Sequence, residues 1–138
     1  MSRASISHIA LTVSDLNRAA NFYDRIFKFM GYMPVEVPES TQQAMKTQLK
    51  AWVGPGYSIS IRPSKGEFAR RLHDRNAPGF NHMAFYAEDR SDIDAMHKLL
   101  KKGGHGEVHA GCGLASNKRD GPGKRLRVYA PSTHNGSH

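Results

Sequence analysis

Two histidines, His8 and His82, stand 74 residues apart in matching contexts. The first opens His8-Ile9-Ala10-Leu11-Thr12-Val13-Ser14-Asp15, and the second opens His82-Met83-Ala84-Phe85-Tyr86-Ala87-Glu88-Asp89. Both runs alternate and both end in an acid. In a strand, successive side chains point to opposite faces. Alternation therefore puts His8, Ala10 and Thr12 on one face and Ile9, Leu11 and Val13 on the other. It likewise sets His82, Ala84 and Tyr86 against Met83, Phe85 and Ala87. The apolar face of each strand should lie under a helix, and the other should line something open. Ala10 and Ala84 leave room beside each imidazole. The two histidines read either as groups that hold a bound ligand or as polar cleft residues that meet water or substrate.

Four further side chains could meet a small molecule. Arg62 and Arg127 fall on expected open faces, where a guanidinium matches the geometry of a carboxylate or phosphate. A solvent-exposed strand end is the plainer reading and the favoured one. Trp52 and Tyr86 are candidate pocket walls, against the alternative of ordinary sheet aromatics. His97 falls within a helical pattern and reads as a packed or interfacial residue. Cys112 has no neighbouring His or helix cap that would mark a nucleophile. The chain has no phosphate loop, no Ser-His-Asp pattern and no CxxC pair.

The elements that must position these residues come in two similar series. After the first strand, Ser14 or Asp15 offers an N-cap. Leu16, Ala19, Tyr23, Ile26, Phe27 and Met30 follow at helical spacing, and Gly31 is the expected stop. Tyr32–Val37 should be a strand, and 41–46 is a polar loop or a strand start. Gln48–Val53 and Tyr57–Arg62 read as two more strands across the Gly54-Pro55-Gly56 turn. Residues 64–79 form a polar, basic linker in which Phe68 and Leu72 suggest a short helical turn. Residues 80–87 repeat the first strand. Ser91 with Asp94 suggests a capping box, Ile93, Met96, His97 and Leu100 a helix stripe, and Gly103-Gly104 its end. Beyond that the pattern weakens. Residues 105–110 suggest a strand, 111–118 are ambiguous, and 125–130 alternate. Both halves thus read β-α-β-β-β, at 5–63 and 80–131, with 132–138 as a tail and the whole chain as one domain.

At 138 residues the chain can bury a real core. Its apolar runs are too short to cross a bilayer as helices. No hydrophobic segment follows Arg3, so no secretory signal is expected. With a single cysteine, the expectation is a cytoplasmic protein. The net charge of +8 is uneven, with +3 on residues 1–100 and +5 on 101–138. The basic residues lack aromatic interleaving and any nucleic-acid motif, so a solvated basic face is preferred over nucleic-acid binding.

Two βαβββ modules, each opened by a His-bearing strand, resemble the vicinal oxygen chelate superfamily of glyoxalases, bleomycin resistance proteins and extradiol dioxygenases. The resemblance rests on His8-Ile9-Ala10-Leu11-Thr12-Val13-Ser14-Asp15-Leu16 with Phe22-Tyr23, on Asn81-His82-Met83-Ala84-Phe85, and on Asp94-Ala95-Met96-His97 with Gly103-Gly104. It implies an α+β fold whose curved mixed sheet surrounds a cleft, and a homodimer. It further implies a divalent metal (Zn, Ni, Fe or Mn) held by His8 and His82 in a lyase of lactoylglutathione-lyase type or a dioxygenase acting on vicinal oxygens. The alternative it offers is a binding protein of the bleomycin-resistance type, taking an anionic or aromatic ligand. The family's last strand usually supplies a Glu ligand. Here Arg127 occupies that place, and Ser58-Ile59-Ser60-Ile61 offers no carboxylate in the first module. A cation about 4 Å from Arg127 would feel a repulsion of a few kcal/mol. A metal would then need a replacement ligand such as His105, Glu107 or His109, or a bound substrate. Residues 105–124 are also glycine-rich and basic where the family's middle strands carry aromatic and apolar residues.

Overall fold

A computed structural model describes residues 3–71, 74, 76–81, 83–102, 113–115 and 124–128, the last two segments by their backbone alone. The chain divides into two units, residues 1–71 and 72–138. The fold class is α+β.

The first unit runs β1 (His8–Val13), α1 (Leu16–Phe29), β2 (Met33–Val35), α2 (Glu39–Met45), β3 (Lys50–Val53) and β4 (Ser58–Pro63), followed by a 3-10 turn at Gly66–Phe68. Its strands form a mixed, unclosed sheet in the order β1-β4-β3-β2. β1 pairs β4 in parallel, and β3 pairs antiparallel with both β4 and β2. The register sets Ile9 beside Ile59, and Ile59 beside Trp52. Leu11 lies beside Ile61. This apolar side carries the core, with Ile59, Ile61, Trp52 and Leu11 buried together with Tyr23, Ile26 and Phe27 of α1.

The position of α1 follows from its ends. Asp15 stays extended and its carboxylate accepts from Arg18 N–H at 3.0 Å, satisfying a free donor of the first turn. At the other end Gly31 takes φ 88°. Its N–H bonds the Lys28 carbonyl at 3.0 Å, while Tyr32 N–H bonds that of Phe27 at 2.8 Å. This paired closure is the Schellman arrangement. It also stacks the Tyr32 ring on Phe27, with centroids 5.7 Å apart. Tyr32 packs so closely on Gly54 that a Cβ there would overlap the ring. Burial, with a side-chain bond to Tyr57, pushes the Tyr32 hydroxyl pKa up, and burial alone does the same to Tyr23.

α2 departs from the expectation of a loop or strand. Its sequence, Glu39-Ser40-Thr41-Gln42-Gln43-Ala44-Met45, has no apolar stripe, and none of its residues is buried. The helix is fixed instead through Gln42. Its side-chain amide donates to the Val37 carbonyl at 3.0 Å, and its side-chain oxygen accepts from Leu49 N–H at 3.0 Å.

The second unit contains β5 (Met83–Ala87), α3 (Arg90–Lys102), β6 (Gly113–Ala115) and β7 (Lys124–Val128). The sheet order is β5-β7-β6 with both pairings antiparallel. Met83 and Phe85 are buried with Ile93, Met96 and Leu100. The cap of α3 sits two residues before the expected Ser91. Asp89 accepts from the N–H groups of Ser91 and Asp92, at 2.7 and 3.3 Å, and Asp92 accepts from Asp89 N–H at 3.4 Å. This is a reciprocal capping box built from two aspartates. The repeat is not copied in full. β4 runs parallel to β1, whereas β7 runs antiparallel to β5. The strand expected at 105–110 lies outside the described residues.

Candidate functional site

The face of the first sheet opposite α1 carries the candidate chemistry. On β1 it presents His8, Ala10 and Thr12, all exposed, while Leu11 on the other side is buried. Register adds Ser58 beside His8, Ser60 beside Ala10 and Arg62 beside Thr12. Ser58, Ser60 and Arg62 are half-buried. Crossing the sheet, Val53 and Ala51 of β3 lie beside Ser58 and Ser60, and Met33 and Val35 of β2 lie beside those. Met33 is 68% exposed. The face is therefore graded, with imidazole, hydroxyls and guanidinium on the β1–β4 side and apolar side chains on the β3–β2 side.

His8 and Arg62 share this face but do not meet. Arg62 is four residues along β4 from the partner of His8, roughly 13 Å at the rise of a strand. Arg62 makes no ion pair with a described carboxylate. Its guanidinium is thus available to an anion.

Trp52 differs from the expectation of a pocket wall. It is 3% exposed and lies on the α1 side, edge-on to Phe27 with centroids 5.2 Å apart. Its indole N–H donates to Asp24 Oδ1 at 3.0 Å. The other Asp24 oxygen is 2.9 Å from the Lys28 ammonium. Partial burial raises the Asp24 pKa, but the indole N–H and Lys28 outweigh it and hold the carboxyl below its ordinary value. Asp24 thus anchors the tryptophan in the core. Nothing in the sequence pattern marks that pairing, because the two residues are 28 apart on different elements.

Tyr86 is 69% exposed on β5 and lies beside Arg125 in register. Arg127 lies at the register position of Ala84 on one side and Gly113 on the other. His82 lies outside the described residues, as do His105, Glu107, His109 and Cys112. His97 is half-buried on α3.

The fit to a divalent metal follows from these positions. Among the described residues no group of three or more His, Cys, Asp or Glu side chains could hold an ion. A catalytic zinc typically takes three protein ligands, and manganese favours oxygen donors with carboxylates among them. Beside His8 the open face supplies two serine hydroxyls and, further along, a cation. The described donors therefore suit hydrogen bonding to a ligand and do not make a metal site.

Known proteins share this organisation. The uncharacterised protein YqjT of Bacillus subtilis is 31% identical over 97 residues, which cover 70% of each chain. A solved glyoxalase-like protein of Bacillus halodurans superposes with a TM-score of 0.63 at 20% identity, over 74% of this chain and 71% of that one. A mutant of the genomically encoded fosfomycin resistance protein FosX of Listeria monocytogenes superposes with a TM-score of 0.53 at 19% identity, over 96% of both chains. That protein was crystallised with Mn(II) and 1S,2S-dihydroxypropylphosphonic acid. The two superpositions agree in fold with the helix-covered mixed sheet. The model of one family matches residues 5–116, from ahead of β1 to the end of β6, and the chain belongs to that family, the Glyoxalase/Bleomycin resistance protein/Dioxygenase superfamily.

Proposed function

We propose that the chain binds a small anionic or aromatic molecule on the open face of its first sheet without turning it over, as a binding protein of the bleomycin-resistance type. One observation carries this reading: the open-face positions of β4 are Ser58, Ser60 and Arg62, with no carboxylate where the superfamily's last strand usually supplies a Glu ligand. Two hydroxyls and a guanidinium bind an anionic or polar group without reacting with it. Beside them, Met33, Val35 and Val53 offer apolar ground for a ring or chain. Arg127 of β7 is the second proposed anion contact, and Tyr86 a proposed aromatic one. The test is calorimetric titration with fosfomycin, a small phosphonate. Its binding should weaken about tenfold or more, roughly 1.4 kcal/mol, in Arg62→Ala or Arg127→Ala and should persist in EDTA. Affinity unchanged by both substitutions would sink the proposal.

A second reading is a metal-dependent lyase or dioxygenase. Its support is His8, exposed on the open face of the first strand, together with a structural neighbour that was crystallised with Mn(II). It requires turnover that disappears with EDTA and in His8→Ala. Turnover that survives either treatment would remove it. In both readings a homodimer is proposed, as members of the superfamily are often dimeric. Sedimentation equilibrium should then give about twice the 15.3 kDa chain mass.

A further inference from the structure

α2 is held in place without a core to reward it. A seven-residue helix has little stability of its own in water, and this one buries none of its residues. Its attachments are polar. Gln42 ties it to Val37, beyond β2, and to Leu49, just ahead of β3. Lys46 closes it in the left-handed conformation, at φ 55°, and the Lys65 ammonium donates to the Lys46 carbonyl. Held this way, the helix walls a groove of about 790 Å³. That volume is within the range of roughly 300–1,000 Å³ in which small-molecule sites fall.

The lining of the groove is mixed in a specific manner. Val37, Leu49 and Pro63 give it apolar ground, and Lys46, Lys50 and Lys65 bring three ammonium groups to it. None of the three lysines makes an ion pair with a described carboxylate. Lys65 uses one of its three N–H donors on the Lys46 carbonyl and keeps the others. Glu36 and Glu39 also line the groove, leaving it with net positive charge, and Glu39 is engaged by the Gln43 side chain at 3.4 Å. It borders the face proposed above through Val35, but none of His8, Ser58, Ser60 or Arg62 lines it.

We infer that this groove is a second binding site, taking a small organic anion, a carboxylate or a phosphate ester on an apolar body. The lysines meet the charged end as point charges, and Val37, Leu49 and Pro63 take the apolar end. The test titrates the intact chain with benzoate and with phenyl phosphate at low salt, read by calorimetry. Saturable binding of one or both is expected. Benzoate alone would identify a carboxylate site and phenyl phosphate alone a phosphate site. Lys50→Gln, which breaks no bond within the fold, should weaken binding at least tenfold. Gln42→Ala, which releases the helix and leaves every charge in place, should weaken it as well. Lys102→Gln, outside the groove, should leave it unchanged. Absence of saturable binding overturns the inference. So does binding that survives both Lys50→Gln and Gln42→Ala, or that is lost in Lys102→Gln.

Discussion

At the scale of the residue, the Asp24–Trp52 bond ties the tryptophan to the α1 side of the sheet. A buried indole N–H left without an acceptor costs about 1–3 kcal/mol. Asp24→Ala should therefore destabilise the chain by about that amount in urea melts followed by Trp52 fluorescence, whereas Asp24→Asn should keep an acceptor and lose less. The charge adds a pH dependence whose sign is fixed. The Asp24 pKa is lower folded than unfolded, so its contribution is complete above the ordinary carboxylate value and fades as pH falls through the lowered one. Asp24→Asn should accordingly flatten the acid limb of the stability profile, and an unchanged limb would show that other carboxylates set it. The sequence could mark Trp52 as an aromatic on a strand, but four strand residues do not fix which face a side chain takes. The pairing of Trp52 with Ile59, across a strand, fixed it. His8 was legible for the opposite reason. Its six-residue strand alternates fully, and the burial of Leu11 against the exposure of Ala10 and Thr12 follows that alternation.

At the scale of the element, legibility followed hydrophobic period. α1 and α3 show it and were readable with their approximate ends. α2 shows none, because polar bonds rather than burial hold it, and only the fold brings Val37 and Leu49 within reach of Gln42. The start of α3 shows a finer limit. Ser91 with Asp94 and Asp89 with Asp92 have the same spacing, so pattern alone offers both, and the structure uses the second pair. Asp89→Ala should cost about 0.5–2 kcal/mol as a lost N-cap, and Asp94→Ala less than half of that, since the exposed Arg90–Asp94 pair contributes little. Equal losses in thermal melts would place the cap elsewhere. The β3–β4 turn carries a packing constraint of its own. At Gly54 an added methyl meets the buried Tyr32 ring, so Gly54→Ala should destabilise by about 1–3 kcal/mol, an effect removed when Tyr32→Leu frees the space.

At the scale of the molecule, the two repeats do different things with similar openings. The first closes β4 against β1 in parallel, bringing Ser60 and Arg62 alongside Ala10 and Thr12. The second sets β7 against β5 in the opposite direction. Its residues 105–124 have too few apolar side chains to specify strands by pattern and were the less legible stretch, whereas 125–130 alternates and β7 lies there. The division also sharpens the question of a metal. His8 belongs to residues 1–71 and His82 to residues 72–138, so an ion held by both would link the two units. Such an ion would bind the folded chain far better than the unfolded one, and at a hundred times its dissociation constant would stabilise the fold by about 2.7 kcal/mol. Under the binding proposal, neither Mn(II) nor Zn(II) at such an excess should move the melting temperature, and EDTA should leave ligand affinity intact. A rise of several degrees that disappears in both His8→Ala and His82→Ala would instead restore the metal-dependent reading. A rise that persists in those variants would place the ion elsewhere and leave the open face to its ligand.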